Sequence, residues 1–114
     1  MPCYYLIVPG KRQFQRFIVK LPAKVSAGDR SITGITVRVS RKGFFVRAQN
    51  CFNTGTPVVI DLSLSDTDIC QLKGAVKYVR RYDLLPRLNG MGIELSGEFP
   101  RYAELITAIE KERG

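Results

Sequence analysis

Arg12 and Arg16 stand four residues apart in the stretch Lys11-Arg12-Gln13-Phe14-Gln15-Arg16-Phe17. Each guanidinium is a planar fork that can bind a phosphate, or the O6/N7 edge of guanine, through two parallel hydrogen bonds. With eleven Arg in the chain, about one such spacing arises by chance, so the pair alone says little. Its position says more: it lies in a lead-in just before the first strand pattern, where both side chains can turn toward one ligand. A second polar element, Ser40-Arg41-Lys42-Gly43, follows at a strand-to-strand reversal. There Arg38 and Ser40 share a face opposite Val37 and Val39. Ser40 is thus placed to hydrogen-bond a ligand edge, and Gly43 is expected to supply a backbone conformation that other residues resist.

The elements that must position these groups are strands. Phe17, Val19, Leu21, Ala23 and Val25 alternate with polar or small residues, the period of a half-buried strand, and Pro22 suggests an edge or a bulge. Ile35, Val37 and Val39 predict another inward face. Gly43 to Ala48 returns as the next strand, and Val58, Ile60, Leu62 and Leu64 give a further one. Leu72, Gly74, Val76, Tyr78 and Arg80 read as one face of a fifth, and Met91, Ile93 and Leu95 as the last. The tail changes period: Tyr102, Leu105, Ile106 and Ile109 fall at helical spacing after Pro100. The pattern predicts a six-stranded antiparallel β-barrel over 17–96 with a C-terminal helix over 100–112, in a single domain spanning 1–114. Residues 1–10 are an N-terminal extension, either a short extra strand or a segment packed on the barrel, and 11–16 form the arginine lead-in.

Net charge is +8, and residues 1–57 carry ten Lys or Arg against one acid, Asp29. The asymmetry fits an anionic partner on that half, although a solubilising surface would look the same. The chain has no His and no Cys or Ser with a visible activating partner, which argues against an enzyme. Cys3, Cys51 and Cys70 are odd in number and scattered, reading as reduced filler thiols rather than a zinc site or disulfide framework. The apolar run Tyr4 to Val8 is too short for a signal peptide or membrane span. A cytoplasmic protein without cofactor is expected.

In order and separation, Arg12-Gln13-Phe14-Gln15-Arg16, Ser40-Arg41-Lys42-Gly43, Gly74-Ala75-Val76 and Gly90-Met91-Gly92-Ile93-Glu94-Leu95 resemble a PilZ domain, over roughly Lys11 to Leu95. The resemblance implies a bacterial receptor module for the second messenger cyclic di-GMP, with the paired arginines on phosphates and guanine. It also implies an Asp/Asn-x-Ser-x-x-Gly element around another guanine. On this chain the implied ligand set is Lys11, Arg12, Arg16, Arg38, Ser40 and Gly43. Arg38 departs from the pattern, standing where the family usually has Asp or Asn. A guanidinium has five donors and no acceptor, so guanine N–H groups lose a partner there, while a cation is gained for the phosphates.

With no output domain in these residues, a cyclic di-GMP receptor would act through an unidentified effector protein, and ordering of the Lys11–Arg16 lead-in is the expected switch. Arg38 motivates the alternative of a degenerate barrel that serves only as a protein-interaction module. A nucleic-acid-binding barrel is suggested by Phe14, Phe17, Phe44 and Phe45 among basic residues. It is the weaker reading, because most of these aromatics alternate into the core.

Overall fold

The computed structural model describes residues 5, 6 and 16–113. Among the described residues eight strands, β1 (Tyr5–Leu6), β2 (Arg16–Ile18), β3 (Pro22–Ala27), β4 (Arg30–Ser40), β5 (Gly43–Arg47), β6 (Pro57–Ser63), β7 (Ile69–Arg80) and β8 (Gly90–Leu95), precede one α-helix, α1 (Pro100–Arg113). The strand order β4-β3-β6-β7-β8-β5 closes through a β4–β5 pairing. The result is a six-stranded antiparallel barrel, as the alternation predicts. Closure removes the unpaired edges that an open sheet would present. Strand β2 continues along β4 beside β3, and β1 pairs with β2 outside the ring, Tyr5 opposite Phe17. Residues 5 and 6 therefore resolve the open choice for the N-terminus in favour of an extra strand.

The expected strand over Phe17–Val25 is interrupted at 19–21. Thr36, fully buried, holds the break: its hydroxyl donates to the Val19 carbonyl at 2.6 Å and accepts from the Leu21 amide at 2.9 Å. The backbone there re-enters the ladder through Val19 N–H to Val37 O and Thr36 N–H to Leu21 O. An irregularity next to Pro22 is what a residue without an N–H donor imposes.

Two further bulges correct the predicted faces. The β4–β5 register slips between Thr36 and Arg38, leaving Val37 as an extra residue. Thr36 consequently points inward and Ile35, expected in the core, is 48% exposed. The β7–β8 register slips between Val76 and Tyr78, leaving Lys77 extra. Tyr78, expected on the face of Leu72 and Val76, turns to the outer wall, and Val79 packs against the core instead. A bulge adds one residue to one strand, so everything beyond it changes face.

Phe17, Val25, Ile60, Leu62, Leu72, Val76 and Met91 fill the barrel. Tyr102, Ile106 and Ile109 of α1 join this core at the predicted helical spacing. The helix lies across the β4–β5 and β6–β7 turns: Arg41 reaches Glu110 at 2.6 Å and Thr107 at 3.1 Å, and Arg101 pairs with Asp68. These ion pairs are partly exposed and screened by water, so they contribute little. Burial of Tyr102 and Ile106, roughly 1.5–3 kcal/mol for a fully buried large apolar side chain, therefore decides where the helix sits. No described helix is long and apolar enough to cross a membrane.

Thr36→Val keeps the side-chain volume but removes the hydroxyl. It is expected to cost about 1–3 kcal/mol through the stranded Leu21 N–H and Val19 C=O, and Thr36→Ser should recover most of that. Chemical denaturation of the two variants checks both outcomes.

Candidate functional site

The registers across β4, β5, β8 and β7 arrange the outer wall in rows. One row runs Ser40, Gly43, Glu94, Ala75; the next runs Arg38, Phe45, Gly92, Tyr78; the third runs Ile35, Arg47, Gly90, Arg80. Directly opposed residues on one face lie close enough for side chains to interact. Phe45 and Tyr78 meet above Gly92, ring centroids 6.1 Å apart and planes 22° apart. A Cβ at Gly92 would fall 2.2 Å from the Tyr78 ring, and one at Gly90 2.3 Å from the Phe45 ring. The two glycines thus let both rings lie on the barrel wall. Arg47 sits over Phe45 at 5.6 Å and Arg80 over Tyr78 at 5.3 Å, within cation–π range.

A cavity of about 90 Å³ opens on this wall, and Arg16, Arg38, Ser40, Lys42, Gly43, Phe45, Lys77, Tyr78 and Glu94 are among its lining residues. Pairing of Phe17 with Val39 and of Ile18 with Arg38 brings β2 alongside this part of β4. That pairing sets Arg16 beside the Ser40 corner. Four cationic side chains thus surround one carboxylate, Glu94, which lies 3.6 Å from Lys77. Of the predicted site residues, Arg16, Arg38, Ser40 and Gly43 come together here; Lys11 and Arg12 lie outside the described residues. Phe14 and Cys3 lie outside them as well, whereas Phe17 and Phe44 are core residues.

The corner itself differs from expectation in two ways. The Ser40 hydroxyl is turned into its own reversal, 3.3 Å from the Gly43 carbonyl it donates to and 3.3 Å from the Lys42 amide it accepts from. These are long bonds, open to exchange for a better partner. Gly43 is not needed for a left-handed backbone, since positive φ occurs at Gly28, Gly55 and Gly97. It is needed for space: a Cβ there would lie 1.9 Å from the Ile93 carbonyl oxygen.

On the inner side of the same corner, the Tyr102 hydroxyl donates to the Ser40 carbonyl at 2.5 Å, with the Gly43 carbonyl 3.2 Å away. Burial pushes this hydroxyl far above the ordinary tyrosine range. Burial also raises the thiols of Cys51 and Cys70, which disfavours the thiolate.

Phe45, Lys77, Tyr78 and Gly92 were missed as site residues. For Phe45 the signal was present, since strict alternation puts it opposite Phe44. For Tyr78 it was absent, because the bulge at Lys77 reverses the period.

The model of the PilZ domain matches residues 10–109. The chain belongs to the PilZ domain family. Among solved structures, the Bacillus subtilis inhibitor of motility MotI/DgrA is similar over 90% of this chain, with a TM-score of 0.68 and 18% identity. The present chain spans about half of that protein, 51% of its length. The PilZ domain of CeSA from a cellulose-synthesizing bacterium matches 83% of this chain and 97% of its own, with a TM-score of 0.61 and 21% identity. No curated protein matches the sequence. At these identities the structural likeness establishes the PilZ barrel as a fold.

Tyr102→Phe should cost about 1–3 kcal/mol by leaving the Ser40 carbonyl without its donor. It should also flatten the alkaline loss of stability. Below the unfolded tyrosine pKa of about 10 the contribution of Tyr102 is complete. Above it the unfolded chain releases the proton that the folded chain retains, so stability falls as pH climbs toward the raised folded value. The difference between wild-type and variant urea midpoints, at neutral and at strongly alkaline pH, checks both effects.

Proposed function

We propose that this PilZ domain is a receptor for cyclic di-GMP that signals through a partner protein, with residues 1–114 acting as a single module. The family is in general one of receptors for this nucleotide rather than of enzymes, and the chain's own geometry supports the same role. The observation that carries the reading is the convergence of Arg16, Arg38, Ser40 and Lys42 with the Phe45–Tyr78 rings on one cavity. Phosphates would take the guanidinium of Arg16, and a guanine would stack on the aromatic pair, a contact worth roughly 1–3 kcal/mol per base. Arg12 stands four residues before Arg16, so its Cα lies within about 14 Å along an extended chain. In this reading Arg12 contributes a second guanidinium to the same ligand, and Lys11 adds charge.

Arg38 sets the quality of the fit. In this reading it replaces the acceptor that Asp or Asn supplies elsewhere in the family, and so leaves guanine N–H donors unpaired, a loss of roughly 1–3 kcal/mol if the edge is buried. It compensates in part by attracting phosphate and by reaching an O6/N7 edge. The signal would leave through the Ser40–Gly43 corner. Its carbonyls hold Tyr102 and its Arg41 holds Glu110, so a ligand that reshapes the reversal moves the seat of α1.

The second reading, a barrel that no longer senses the nucleotide and serves only as an interaction module, rests on Arg38 alone. Calorimetric titration with cyclic di-GMP at moderate salt separates the two. Binding in the wild type, weakened about tenfold or more in Arg16→Ala and in Arg12→Ala, supports the receptor. No heat and no chemical-shift change at saturating nucleotide sinks it. Binding that appears only in Arg38→Asp identifies the degenerate barrel and names the residue responsible.

A further inference from the structure

The loop joining β7 to β8 carries apolar surface that the barrel does not use. Leu84 is 94% exposed, and Tyr82 and Leu85 are each 43% exposed. The loop is nonetheless built. Asn89 accepts from the Tyr82 amide at 2.7 Å and donates to the Gln49 carbonyl at 3.0 Å, and a short 3-10 helix, Pro86–Leu88, closes it. Apolar side chains held out on an ordered tip are what an interaction surface requires.

Behind the tip lies a second cavity, of about 230 Å³, whose lining includes Arg38, Arg47, Arg80, Tyr82 and Leu88 and, among the described residues, no carboxylate. Arg47 is fixed there by donating to the Leu88 carbonyl at 2.5 Å. Arg81 and Arg87 are exposed on the loop itself, where Asp83 is the only acid. Five arginines thus stand against one carboxylate around two leucines and a tyrosine.

We propose that the β7–β8 loop and the arginine cavity at its base dock this domain on an anionic lipid surface. Leu84 and Leu85 enter the headgroup–acyl boundary, Tyr82 sits at the interface level, and lipid phosphates fill the Arg38–Arg47–Arg80 cavity. The apolar element is a protruding tip of three side chains rather than a flat face or a groove. Peripheral lipid binding combines such a small inserted apolar element with cationic contacts, and the arginines around the tip supply the charge that anionic headgroups match. Arg38, Phe45 and Tyr78 line both cavities, so lipid phosphate and nucleotide would share that wall, whereas neither Leu84 nor Leu85 lines the nucleotide cavity and the apolar tip is separable from it.

Flotation of the full chain with vesicles of phosphatidylcholine alone, and of phosphatidylcholine mixed with phosphatidylglycerol, tests it at near-physiological salt. Binding is expected to the mixed vesicles only. It should fall about tenfold or more in Leu84→Asp/Leu85→Asp and in Arg80→Glu, and much less in Lys73→Glu. The last carries the same charge change on an exposed position of β7 away from the loop. Unchanged circular dichroism confirms folding, which substitution at so exposed a site as Leu84 does not threaten. The leucine variant should also titrate with cyclic di-GMP as the wild type does, so failure here is separable from failure of the receptor reading. The proposal is overturned if no vesicle is bound, if the leucine variant binds like the wild type, or if Lys73→Glu weakens binding as much as Arg80→Glu. The first outcome would leave an acidic protein surface as the partner of the loop, and the last a nonspecific attraction set by net charge.

Discussion

In a closed barrel every strand residue goes either into the core or onto the outer wall, and one extra residue in a strand exchanges the two for everything beyond it. Val37 in β4 and Lys77 in β7 are such residues here. They bring Arg38 and Tyr78 to the same outer row with Phe45 between their strands. Without the slip at Lys77, Tyr78 would compete with Val76 and Met91 for core volume, and Val79 would face solvent. The candidate site therefore depends on two local breaks in a period that the rest of the barrel obeys.

The breaks are held by specific chemistry. Thr36 replaces two missing ladder contacts with its hydroxyl, at the position where Pro22 and the bulge disturb β3 and β4 together. On the opposite side, Gly90 and Gly92 remove the Cβ atoms that would lift the Phe45 and Tyr78 rings off the wall. Gly43 permits the closest backbone approach, against the Ile93 carbonyl. The outer face is thus shaped as much by missing side chains as by present ones. Its charge follows from the same rows: Arg38, Arg47 and Arg80 are neighbours because β4, β5, β8 and β7 are paired in that order.

The Ser40–Gly43 reversal connects this face to the helix. Its Ser40 hydroxyl bridges the Lys42 amide and the Gly43 carbonyl beside the cavity, while the Ser40 and Gly43 carbonyls meet the Tyr102 hydroxyl on the inner side. An interaction on one side of a four-residue turn is felt on the other because the turn has few soft dihedrals to absorb it. Arg41 strengthens the link, although as a partly exposed ion pair it contributes less than the buried hydroxyl. The helix is therefore the element of the PilZ barrel most directly exposed to events at the corner.

By itself the sequence determined the number of barrel strands, the terminal helix and its buried face, the reversal at Ser40–Gly43 and the cationic character of the first half. These are local properties, written in periods of two and 3.6 and in turn residues. It also placed Arg38 and Ser40 on the outer wall, by their alternation with Val37 and Val39, whereas Arg16, expected in the lead-in, comes beside them as the first residue of β2 through its pairing with β4. The exposure of Ile35, the burial of Thr36, the outward turn of Tyr78 and the recruitment of Lys77 and Arg80 were decided only by tertiary structure. A bulge is fixed by cross-strand register, which depends on what the partner strand can accommodate rather than on the residues that bulge. The reason Gly43 must be glycine belongs to the same class: the atom that excludes a side chain there comes from Ile93, fifty residues away in sequence and in contact only once the barrel has closed.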